Sequence, residues 1–266
     1  MISQLENGED PEADVYLSKD VTYLQKAQAE DGLQAMDMEA VSENVPKELR
    51  AENNEWMGLT KNARVILYNK EKVEGEALST YEALGEDEWD GRIVGGTFNS
   101  VYNQSFIASL ITINGTESTY AWVKDYVGNF AGEQEKSERD KVDALLTGEG
   151  DVAVVNSQYV LPTDEQVGVF FPNQDTSGTH INVSGAGVLK ASTQPDKASA
   201  FITFLTEEQQ QEQWTQENGE YPLHPEVNPA EMLQSWGEFE EQDLTLAERS
   251  QNHSEAVMLM EEAGWY

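Results

Sequence analysis

The 266-residue sequence contains no cysteine, which excludes disulfides, thiolate metal sites and thiol nucleophiles without fixing a compartment. No stretch approaches the roughly 18 consecutive apolar residues that span a membrane as a helix. Residues Met1 to Asp20 are polar and acidic, with no basic n-region, apolar h-region or small-residue cleavage site, so no export signal is expected within the chain. Basic residues are scarce: 16 Lys and Arg face 50 Asp and Glu, a formal net charge of −34. Such a surface repels a phosphate backbone and offers no basic stripe, so nucleic acid is not an expected partner. The carboxylates are spread along the whole chain, which reads as an acidic, halophile-like solvation shell or, alternatively, as a field that attracts cations. Histidine is rare too. His180, His224 and His253 lie in neither a G-x-S-x-G nor an H-E-x-x-H setting, and each reads as a surface or packing residue. The glycine-rich run Val183–Gly187 (VSGAG) fits neither the Walker nor the G-x-G-x-x-G pattern, and no constellation asks for an enzyme.

What is present suits a folded α/β globule. Hydrophobic residues make up 38%, with 6 Trp, 10 Tyr and 8 Phe, too many for a disordered chain. Short β-type runs alternate with helical ones. Strands are expected at Asp14–Leu17, Arg64–Asn69, Arg92–Gly95 and Thr179–Val188, and Asp151–Val155 (DVAVV) reads as a buried parallel strand. Helices are expected over Val101–Thr112, around the stripe Trp122, Val123, Tyr126, Val127 and Phe130, over Asp140–Gly148, after Pro195, and over Leu244–Ala263. Ser79–Glu82 and Thr206–Gln209 have the spacing of capping boxes.

Two polar clusters follow expected strand ends, where open α/β sheets bind ligands. Asn99-Ser100-Val101-Tyr102 opens a helix, whose free N–H groups and dipole favour an anion, and Asn156-Ser157-Gln158-Tyr159 offers an amide and a phenol on one short loop. On spacing alone these tyrosines read as core or rim residues.

A longer set of segments changes that reading. PEADV (Pro11–Val15), GLTKNARVILYNKEK (Gly58–Lys72), WDGR (Trp89–Arg92), VYNQS (Val101–Ser105) and GEGDVAVVN (Gly148–Asn156) are followed by VFFPN (Val169–Asn173), GTHINVSGAGVL (Gly178–Leu189), GEYP (Gly219–Pro222), SWGEF (Ser235–Phe239) and Ala263–Trp265. In this order they resemble the ferric-iron-binding proteins of ABC importers, in the branch found in cyanobacteria. The resemblance implies a type II periplasmic-binding-protein fold, with two α/β lobes joined by two crossover strands near Arg92–Thr97 and Thr179–Gly187. It places lobe 1 at 1–93, lobe 2 at 94–180, a return to lobe 1 at 181–225 and C-terminal helices at 226–266. The implied function is capture of Fe(III), with a synergistic anion such as carbonate, phosphate or citrate, and delivery to an ABC-transporter permease by a monomeric periplasmic or membrane-associated extracellular protein. Tyr102 and Tyr159 match metal ligands of the family. Gln158 and Asp20 are further candidates at or around the metal, and Asn99, Ser100 and Asn156 for the anion.

The resemblance also has gaps. Gln158 stands where the family usually has the first of two consecutive tyrosines, and Gly96 stands near the place of an arginine common in this branch. Met1-Ile-Ser-Gln-Leu5 matches a segment that follows an export signal and a strand, helix and strand in the family, so these first elements of lobe 1 are expected to be missing. The same fold holding another metal or a small organic anion, or a nonfunctional truncated remnant, are the alternatives.

Overall fold

The computed structural model describes residues 1–9, 11–38, 41–135, 137–161 and 164–266. The elements, in chain order, begin with α1 (Ile2–Glu6), β1 (Val15–Ser18), α2 (Val21–Ala29), β2 (Leu33–Gln34) and the long β3 (Trp56–Asn69). Next come α3 (Val101–Asn114), α4 (Thr116–Gly128), α5 (Glu138–Thr147), β4 (Val152–Asn156), β5 (Val167–Phe170) and β6 (Ile181–Leu189). The last are α6 (Pro195–Leu205), α7 (Glu208–Asn218), β7 (Tyr221–Pro222), α8 (Glu231–Ser235), α9 (Leu246–Ser250) and α10 (His253–Glu262).

The chain forms two compact units, one of Met1–Lys61 and Asn182–Leu233, the other of Asn62–Ile181 and Gln234–Tyr266. In the first unit β1 and β2 pair antiparallel with β6, and β7 pairs antiparallel with the early part of β3. Its core gathers Met36, Met57, Leu59, Ala186, Val188, Ala198, Ile202 and Leu223. In the second unit the later part of β3 pairs antiparallel with β4 and β5. Residues Ile66, Tyr81, Trp89, Ile93, Phe106, Val123, Val154, Leu259 and Trp265 share its core. The expected first boundary at residue 93 is therefore not where the units divide: 62–93 pack into the second unit, because β3 runs on past Lys61 and its later half supplies that unit's sheet.

Several local expectations are corrected. Arg92–Gly95 is not a strand; only Ile93 bridges, in parallel, to Phe130 and Val152. β4 is buried as expected from DVAVV but runs antiparallel to its partner, with Arg64 opposite Asn156 and Tyr68 opposite Val152. The box at Ser79–Glu82 does not form: Thr80 Oγ1 accepts from Ala83 N at 3.1 Å, and Glu82 is drawn off to the amides of Asn114 and Asn173. At Thr206 the hydroxyl donates back to the Thr203 carbonyl at 2.7 Å, and α7 has no side-chain cap. The C-terminal helix is two helices, the first opened by a capping box of Thr245 and Glu248.

Candidate metal and anion site

α3 begins after Ser100, whose side chain makes no capping hydrogen bond, so the first-turn N–H groups have no cap from it. Every residue from Tyr102 to Ile111 is buried, which fixes the helix firmly in the core of its unit. Tyr102 is 4% exposed. Across from it, β4 ends at Asn156 and the chain turns through a short 3-10 segment, Ser157–Tyr159. Ser157 Oγ accepts from Ala63 N at 3.2 Å, pinning that turn to β3. The result is a convergence of phenols: Tyr102 Oη lies 3.3 Å from Tyr159 Oη, with ring centroids 6.1 Å apart and planes at 67°. Gln158 is half-buried on the same turn, and Asn99 is exposed just before α3.

Asn156 is fully buried and belongs to a charged network beneath the turn. Arg64 of β3, itself 0% exposed, donates to Asn156 Oδ1 at 2.9 Å, to Glu138 Oε2 at 2.8 Å, and to Asn103 Oδ1. Glu138 of α5 also accepts from Asn156 N at 3.1 Å and from the Lys141 ammonium at 2.8 Å. Lys141 Nζ donates in addition to the Val154 carbonyl at 2.6 Å. Burial would raise the pKa of Glu138, but Arg64 and Lys141 outweigh it and hold the carboxyl below the ordinary range. Burial pulls Lys141 below the usual lysine value, with Glu138 opposing. Two cations thus face one carboxylate. Because a guanidinium can only donate, Asn156 must turn its oxygen to Arg64, and its Nδ2 is left buried without a hydrogen-bond partner.

The sequence reading missed Arg64, Glu138 and Lys141 as site residues. Gly96, read there as a lost positive charge, sits against the alkyl stem and ammonium of Lys141: a Cβ at 96 would come 3.2–3.4 Å from Cδ, Cε and Nζ. The Lys141 side chain, from α5, thus packs directly on Gly96. The one local signal was the i, i+3 spacing of Glu138 and Lys141.

Asp20 belongs to the other unit. It is 2% exposed and caps α2: its Oδ1 accepts from Thr22 N at 2.9 Å, and its Oδ2 from Asn182 Nδ2 at 2.6 Å. Among the described residues, no group of three or more His, Cys, Asp and Glu could hold a metal. The oxygen donors that converge are phenols.

The sequence pattern of the bacterial extracellular solute-binding proteins matches residues 10–237. The chain belongs to that family. It is 40% identical to iron uptake protein A1 of Synechocystis over 97% of this chain and 75% of the relative. A Trichodesmium protein solved in complex with iron and citrate superposes with a TM-score of 0.89 at 34% identity, covering 100% of this chain and 88% of the other. The ferric-binding protein from Campylobacter jejuni gives 0.94 at 30% identity, with the same coverage. The fold is accordingly that of the type II periplasmic ferric-binding proteins, a family of transport binding proteins.

Proposed function

We propose that the chain captures ferric iron outside the cytoplasmic membrane, in the periplasm or at the membrane's outer face, and delivers it to the permease of an ABC importer. It acts as a monomeric binder, not as an enzyme, and takes no nucleic acid. The approach of the Tyr102 and Tyr159 hydroxyls to 3.3 Å carries this reading. Fe(III) is a hard, highly charged cation, and two converging phenolate oxygens suit it. A free phenol ionises near pH 10, so the metal must drive deprotonation; binding therefore releases protons and weakens in acid. The names of the relatives, which speak of iron uptake, ferric-binding protein and iron with citrate, support the same ligand.

An oxyanion such as carbonate, phosphate or citrate completes the iron's surroundings, with Asn156 Nδ2, Asn99 and the start of α3 at Ser100 as its donors. On adding ferric citrate at neutral pH the protein is expected to turn coloured through tyrosinate-to-iron charge transfer. Tyr159→Phe and Tyr102→Phe each remove the colour, and lowering the pH bleaches the wild type. A colourless protein with no iron affinity at neutral pH ends the reading.

Gln158 favours a second reading, since a neutral amide is a poorer partner for Fe(III) than a phenolate. In it the same fold holds another metal or a small organic anion. A thermal-shift panel separates the two, because a ligand raises the melting temperature only of the state it binds.

A further inference from the structure

Glu138 sits where an external anion would find its best donors. A buried carboxylate is stable only when charged and polar groups replace its water. Glu138 has them on both oxygens: the Arg64 guanidinium and the Asn156 backbone N–H on Oε2, and the Lys141 ammonium on Oε1. These are the groups an oxyanion seeks, a planar guanidinium, a backbone N–H and a point-charge ammonium. The backbone N–H is that of Asn156, and the Arg64 guanidinium also holds the Asn156 side chain, the buried member of the three residues expected to meet the anion. Both the backbone N–H and the side-chain oxygen of Asn156 are already engaged, by Glu138 and Arg64. Two donors of this network remain without a partner, Asn156 Nδ2 and Arg64 Nε.

We infer that Glu138 is a built-in anion, which occupies Arg64 Nη1, the Lys141 ammonium and the Asn156 backbone N–H and thereby restricts an external oxyanion to Asn156 Nδ2, Arg64 Nε and the start of α3. Glu138 is thus a specificity-determining residue. It answers the buried Arg64 and Lys141 charges from within the fold, so that a free oxyanion does not. It also keeps Arg64 in place, which sets the orientation of the Asn156 amide. With the carboxylate present the network carries one net positive charge; without it, two buried cations lack a counter-ion. The significance of this arrangement for iron loading rests on the ferric reading above, but the exclusion of oxyanions does not.

The test is therefore made without iron, on the full chain, with inorganic phosphate as the probe in a buffer free of other oxyanions. Calorimetric titration at pH 7 is expected to show phosphate binding at least about tenfold tighter in Glu138→Ala than in the wild type, since the truncation vacates the carboxylate's place and releases two charge-assisted partners to the ligand. Glu138→Asp keeps the carboxylate and is expected to stay close to the wild type. Equal phosphate affinity in wild type and Glu138→Ala, or weaker affinity in the variant, overturns the inference. If Glu138→Ala does not fold in plain buffer, the readout is its refolding yield against phosphate concentration. The inference expects phosphate to restore folding; a yield indifferent to phosphate overturns it. A purely structural glutamate would weaken the fold without creating an oxyanion site. Loss of the ferric reading would leave these results standing, and their failure would leave the phenol pair untouched.

Discussion

Protonating His180 would place a charge where its neighbours cannot answer it. Its Nδ1 lies 3.0 Å from the Gln242 side-chain oxygen, so the ring N–H points there and the lone pair rests on Nε2, which is buried without a partner. Phe106 covers the ring at a centroid distance of 5.7 Å. Burial first, and then the positive charge of Arg249, push the pKa of His180 down to about 3. In the unfolded chain the imidazole titrates near 6.5. As pH falls the unfolded state takes the proton first, so His180 contributes stability that is complete above about pH 6.5 and is lost toward pH 3. Urea midpoints measured from pH 7 to pH 4 should decline less steeply in His180→Asn, which keeps a polar group near the Nδ1 position and removes the titration. Parallel curves would refute this assignment. The sequence described His180 as a surface or packing residue, and the structure buries it completely. Arg64, Glu138 and Lys141 were not legible as a set because β3, α5 and β4 bring them together from distant parts of the chain. Tyr102 and Tyr159, which the structure brings together, were: Tyr102 lies inside the matching segment VYNQS and Tyr159 three residues past GEGDVAVVN.

At the scale of elements, α5 matters because it carries both Glu138 and Lys141, and its ends are held by separate devices. Ser137 Oγ accepts from Asp140 N at 3.1 Å at the start. Gly148 ends it with φ of 83°, a left-handed conformation that costs little only for glycine. Ser137→Ala and Gly148→Ala should each lower unfolding free energy by about 1 kcal/mol, and the two effects should roughly add, since the sites share no partner. Denaturant melts of the single and double variants check this; a double variant no weaker than either single one would show that the caps are coupled. Both ends of α5 were readable within two residues, since capping chemistry is local. Strand direction was not. An apolar run such as the VAVV of Val152–Val155 says that a strand is covered on both faces, whereas its direction depends on the partner. Here the partner is β3, which the sequence pattern showed only from Arg64 onward because Trp56–Ala63 mixes polar with apolar residues.

For the whole molecule, order along the chain was the strongest signal: collinear segments from Pro11 to Trp265 pointed to the family before any site residue could. The division into units was harder to read, because a 14-residue strand belongs to both and no break in composition marks Lys61. Charge acts at this scale as well. With a formal charge of −34, exposed carboxylates repel one another over distances that salt can cut from about 10 Å at 0.1 M to about 3 Å at 1 M. Glu207, Glu208 and Glu212, at the start of and along α7, are exposed. The charged residues of α7 are all acidic, and the one favourable influence on them is the helix dipole, acting on Glu207 at the cap and Glu208 in the first turn. The melting temperature is therefore expected to rise with sodium chloride between these concentrations. A Glu207→Gln/Glu208→Gln/Glu212→Gln variant should gain at low salt relative to the wild type and converge with it at high salt. Scans with sodium chloride and with choline chloride separate screening, which both salts supply, from any specific cation binding, which the choline ion does not reproduce. A wild-type melting temperature indifferent to both salts, or a variant that differs by the same amount at every concentration, would mean that repulsion among these carboxylates does not limit the stability of the fold.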